Sequence, residues 1–156
     1  MRWLYVLTGF RGRIRRRDFW IGLAILLAAE IGLSFLFVGI MRPTGATTAE
    51  LAALWLALAV LLWGSAALII KRLHDLGKSA LWYPLYGLAP AIAYKLGVVF
   101  SSNISNELSP AQTGFWLLSL ALWLWVFGEL GFRKGTAGPN RFGPDPRGQT
   151  EGEMRL

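Results

Sequence analysis

The sequence predicts an all-α membrane protein, a four-helix transmembrane bundle with cytoplasmic N- and C-termini, and three observations lead there. Of the 156 residues, 54% are hydrophobic and only 16% charged, against roughly 25% charged in soluble globular domains. The apolar residues fall in four blocks, each close to the about 20 residues a helix needs to cross hydrocarbon. All of the 16 Lys and Arg except Arg42 and Lys95 lie before the first block, between the second and third, or after the fourth. The excess of positive charge on cytoplasmic segments then places both termini and the central connection on the inner side.

Read in order, the chain is a single transmembrane domain over 1–156. Its basic amino-terminal segment, 1–18, holds Arg2, Arg11, Arg13, Arg15, Arg16 and Arg17 against the single acid Asp18. Trp3, Leu4, Tyr5, Val6, Leu7 and Phe10 interleave with them, a composition suited to the head-group layer. The next apolar run is too long for the about 7–15 residues of a signal-peptide core, so it is read as a mature span. This first span covers about 19–41, and at ~1.5 Å per residue it reaches roughly 35 Å. The loop after it carries Pro43 and Gly45, and Thr48 offers a cap for a helix starting near Ala49. The second span, about 51–70, is uncharged. The third, about 81–100, carries Pro84, Pro90 and Lys95; Pro84 suits a first helical turn, and Pro90 should kink the span. The connection 101–113 contains no Lys or Arg. The fourth span, about 114–132, ends in Glu129 and Arg133, four apart and spaced to pair. The tail, 133–156, is rich in Gly and Pro, which predicts irregular backbone folded against the central turn.

That central turn, Lys71-Arg72-Leu73-His74-Asp75-Leu76-Gly77-Lys78-Ser79, holds the only histidine. Its residues suit a helix end: cations complement the helix dipole, Gly77 fits a left-handed cap, and Ser79 can cap the next helix. Three polar segments therefore share one face: Gly12-Arg13-Ile14-Arg15-Arg16-Arg17-Asp18-Phe19-Trp20, the central turn, and Gly135-Thr136-Ala137-Gly138-Pro139-Asn140-Arg141-Phe142-Gly143-Pro144-Asp145-Pro146. The Gly-Arg-x-x-Arg-x-x-Phe-Trp, Arg-Leu-His-Asp-x-Gly-x-Ser and Gly-Thr-x-Gly-x-Asn-Arg-Phe-Gly-Pro-Asp-Pro motifs, in that order, resemble the YhaH-like bacterial inner-membrane proteins, domain-of-unknown-function family 805. The resemblance covers nearly the whole chain. It implies a small multi-pass protein of the bacterial cytoplasmic (inner) membrane with no established activity. Asp18 stands where the family more often has Glu, and Leu81-Trp82-Tyr83 replaces its usual paired tryptophans.

With Cys 0 there is no disulfide, thiol nucleophile or thiolate metal site. No cluster has metal-ligand spacing, and the glycine-rich tail lacks the Gly-Lys-Ser/Thr ending of a phosphate loop. No cofactor or metal is expected. The net charge of +7 in so apolar a chain points to anionic phospholipid head groups rather than nucleic acid. Arg13, Arg17, Arg72, Lys78 and Arg141 are the expected contacts for lipid or for a membrane-protein partner, and the leading expectation is a non-enzymatic protein. Two alternatives remain open. A lipid- or phosphate-handling enzyme would use His74 and Asp75, an imidazole beside a carboxylate. A small transporter subunit, needing homo-oligomerisation, would use Glu30 and Lys95. Each of those two charges costs roughly 2.5–3.5 kcal/mol in mid-bilayer on insertion scales, and their matched depths predict a pair between the first and third helices.

Overall fold

The computed structural model describes residues 2–40, 45, 47–100 and 109–147. Every regular element among them is helical; one isolated antiparallel bridge joins Asn140 and Gly143. The helices are α1 (Arg2–Thr8), α2 (Arg16–Ile40), α3 (Thr48–Asp75), α4 (Ala89–Val99) and α5 (Pro110–Val126). A short 3₁₀ turn, Ala80–Trp82, and a π-helical stretch, Pro84–Leu88, lead into α4, and a second π-helical stretch, Phe127–Phe132, continues α5. The expected loop residues 42–44 and 46, residues 101–108 of the second loop, Met1, and the tail beyond Arg147 lie outside the described residues.

Three helices are long and apolar enough to cross a membrane: Arg16–Gly39, Thr48–Asp75 and Pro110–Phe132. Their ends arise from local chemistry. Thr47, one residue before the expected Thr48, caps α3. Its hydroxyl accepts from the Glu50 backbone N–H at 3.3 Å while its own N–H donates to the Glu50 carboxylate at 2.8 Å. This reciprocal box satisfies two of the donors a helix start leaves free. Ser79, expected to cap the next helix, makes no such side-chain bond; it precedes only a single 3₁₀ turn, with less to cap.

The expected third span is helical from Ala80 to Val99 but irregular, and its proline explains the irregularity. Pro90 has no N–H to donate, and its ring crowds the carbonyl four residues back. The turn before it widens, so that the Ala89 N–H donates to the Pro84 carbonyl, a five-residue step that makes a π-turn. The irregularity thus lies on the amino-terminal side of Pro90 rather than as a bend at it. The Pro90 carbonyl is taken up across the helix pair by the Ser119 hydroxyl at 2.9 Å.

The helices pack two by two, α2 on α3 and α4 on α5. Small residues allow the approach: Gly64 lies against Leu26, and Gly97 against the Trp116 ring. The pairs share a core of Val6, Ile14, Phe19, Leu68, Leu73, Tyr86, Val126 and Leu130. Those residues come mainly from α1, the loop after it, and the ends of α2, α3 and α5, so the core sits at the end where the polar segments meet. Away from it, large apolar side chains such as Phe35, Trp55 and Leu124 are exposed, as on helices whose solvent is lipid.

Candidate functional site

Helix ends leave carbonyls without partners, and at the polar end two helices finish close to α3. The π-helical stretch after α5 and the residue beyond it present four successive carbonyls. Leu130 O accepts from Arg72 Nε at 2.6 Å, Gly131 O from Trp20 Nε1 at 3.2 Å, Phe132 O from Arg16 Nη1 at 3.1 Å, and Arg133 O from Arg72 Nη2 at 2.6 Å. Helix α1 is treated alike: the Lys71 ammonium donates to Tyr5 O and, at 3.0 Å, to Val6 O, while Trp63 Nε1 reaches Thr8 O at 2.9 Å. Cations placed on carbonyl ends are favourable through charge-assisted bonds and the helix dipole. Lys71 and Arg72, both 0% exposed, are thus caps for neighbouring helices.

Helix α3 itself ends in a six-residue closure. The Lys78 N–H donates to Leu73 O at 2.8 Å and the Gly77 N–H to His74 O at 3.1 Å. Gly77, at φ +76°, supplies the left-handed residue that this motif needs. The closure leaves Asp75 facing the other polar segments. Its carboxylate lies between two guanidiniums, Arg72 Nη1 on one oxygen and Arg13 Nε at 3.1 Å on the other. Arg13 also donates to Gly138 O at 2.7 Å and Thr136 O at 2.6 Å. Arg72 therefore ties α3 to the end of α5, and Arg13 ties the loop before α2 to the tail.

The tail folds onto this clasp through its small and amide residues. The Thr136 N–H donates to Asp75 O at 2.8 Å, and Asn140 Nδ2 to His74 O at 3.0 Å. Phe142 stacks on the His74 imidazole with ring centroids 4.0 Å apart, while His74 Nδ1 sits 3.1 Å from Gly12 O. Among the described residues no buried side-chain nitrogen or oxygen lacks a hydrogen-bond partner.

The sequence-expected residues separate by environment. Arg13 and Arg72 are buried at their side chains and bonded to backbone and to Asp75. Lys78 bridges to Glu129 at 2.8 Å and to the Tyr86 hydroxyl. Burial alone would pull the Lys78 ammonium down; its bonds to Glu129 and Tyr86 outweigh that and hold its pKa above the ordinary value. Glu129 also pairs with Arg133. Arg141 is exposed and lies over the Phe142 ring. His74 and Asp75 turn to different partners rather than to each other. Glu30 and Lys95 are exposed on α2 and α4, and among the described residues no ion pair joins them.

Arg17 is exposed and lines a crevice of about 200 Å³ with Arg15, Arg16, Arg72 and Arg147, where Asp75 is the one carboxylate. Sequence reasoning does not single out Arg15, Arg16 and Arg147 as a group; the Asp145-Pro146-Arg147 turn brings the last of these across. The Arg147 side chain and N–H, bonded to Asp145, hold that carboxyl well below the usual carboxylate range, with the Gly138 N–H assisting. The Asp145 link is therefore present at neutral pH and lost only in strong acid.

Three membrane-length helices joined at one end by a buried arginine clasp define a multi-pass membrane protein. The chain belongs to the family described as "Protein of unknown function (DUF805)", whose model matches residues 7–144. It is 30% identical over 156 residues to the uncharacterized protein YiiR of Escherichia coli K12, covering 92% of this chain and 87% of that one. It is 30% identical over 142 residues to the inner membrane protein YhaH of the same strain, covering 90% and 88%. No solved structure matches. With three apolar helices and an inner-membrane relative, the chain is a multi-pass protein of the bacterial inner membrane.

Proposed function

We propose that this is a single-domain, non-enzymatic, four-span protein with both termini and the central turn cytoplasmic, and that its basic surface binds the phosphate of anionic lipid head groups. The crevice lined by Arg15, Arg16, Arg17 and Arg147 carries the reading. It gathers guanidiniums, whose planar forks suit phosphate oxygens, at the end that the charge distribution assigns to the anionic inner leaflet. Of the contacts expected from sequence, Arg17 stays in this set. Arg13, Arg72 and Lys78 are held by bonds within the fold and serve as scaffold. Arg15, Arg16 and Arg147 also bond within it, to Pro146 O, Phe132 O and Asp145, but are exposed at the crevice, which Arg141 does not line. His74, wedged between Gly12 O and Phe142, has the surroundings of a packed side chain rather than of a proton shuttle.

Native mass spectrometry from nanodiscs of mixed phosphatidylglycerol and phosphatidylcholine tests this. The parent should retain phosphatidylglycerol selectively, and Arg17→Ala with Arg147→Ala should reduce that retention roughly tenfold, in a salt-dependent manner. Equal retention of the two lipids by the parent would refute head-group binding.

A further inference from the structure

Glu30 and Lys95 take no part in the clasp. Counted at ~1.5 Å per residue from Arg16 and from Ala80, each lies roughly 20 Å along its segment from the polar end. Both are exposed, and among the described residues neither side chain makes a hydrogen bond or ion pair. Charges in hydrocarbon are costly and face protein, water or a partner. The two residues belong to different helix pairs, α2 with α3 and α4 with α5.

Their surroundings differ in form as well as in charge, a groove on one helix pair and an exposed apolar stripe on the other. Beside Glu30 the α2–α3 pair forms a groove of about 420 Å³, whose walls include Ser34, Phe37, Trp55 and Leu58. On α4, Pro90, Ala93 and Gly97 are the buried face. Lys95 stands on the other face in an apolar stripe with Ile92 and Val99, 56% and 64% exposed. An acyl chain could fill the groove but would leave both charges unpaired.

We propose that the groove receives α4 of a second copy, with Lys95 of one chain meeting Glu30 of the other. A two-fold axis along the membrane normal keeps the depths matched and makes the contact reciprocal, so each dimer holds two such pairs. This inference is independent of head-group binding.

The chain has no cysteine, so crosslinking is unambiguous. Glu30→Cys and Lys95→Cys chains, co-expressed and treated with a short bifunctional thiol reagent in membranes, should give a band at twice the 17.3 kDa chain. Neither variant alone should. Reaction only within a doubly substituted chain, or no reaction, overturns the proposal. As a second readout, native mass spectrometry should find the parent dimeric. Glu30→Lys or Lys95→Glu alone should reduce dimer at least about tenfold, and the two exchanges combined in one chain should restore it. Dimer unaffected by the single exchanges, or lost in the combined one, also overturns it.

Discussion

Replacing Arg72 with methionine should destabilise the polar end by about 3–5 kcal/mol, the range for breaking one member of a buried ion pair. Methionine keeps much of the apolar volume, so the loss reports the guanidinium. Without it, Leu130 O and Arg133 O lose their side-chain donor, and the Asp75 carboxylate faces Arg13 alone. Lysine should not rescue, because one ammonium cannot replace a planar fork that bonds in three directions at once. Unfolding in mixed micelles, followed by fluorescence of the 8 tryptophans, measures the change. A parent-like transition in Arg72→Met would mean that the buried clasp is not what joins the two helix pairs.

Gly135→Ala should have the next largest effect. A methyl there would collide with the Asp75 carboxylate, which Arg13 and Arg72 grip from both sides and which therefore has nowhere to move. Overpacking a tight site costs about 1–3 kcal/mol, and more where neighbours are fixed. Here it should be expressed as release of the tail, with limited proteolysis after Phe132 as the readout. Gly128→Ala is the control, since a methyl at that position meets nothing. Equal protease resistance in Gly135→Ala would show that the tail does not rest on Asp75.

Hydropathy makes the long helices legible, because runs of apolar residues state how much hydrocarbon each can cross. Gly77 is equally legible, since a cation-rich helix end followed by glycine has few other folds. The inward direction of Arg13 and Arg72 is not. Sequence shows which side chains carry charge, but not which carbonyls a neighbouring helix leaves unpaired, and it is the ends of α1 and of Phe127–Phe132 that draw Lys71 and Arg72 inside. A mid-span proline predicts the disturbance near Pro90 as a kink. Its π-helical form depends on how the preceding turn repacks. Glu30 and Lys95 share a depth by residue count, whereas the two-by-two helix pairing, a property of tertiary contacts, puts them in different pairs.

The placement of the clasp against the cytoplasmic leaflet is tested most directly by labelling single cysteines with a membrane-impermeant maleimide, which the cysteine-free chain permits. Ala49→Cys and Arg141→Cys put reporters at exposed positions at the start of α3 and on the tail. In spheroplasts, Ala49→Cys should label at once and Arg141→Cys only after the membrane is permeabilised. Labelling of Arg141→Cys in intact spheroplasts would put the arginine surface on the wrong side of the membrane and contradict its role with inner-leaflet lipid.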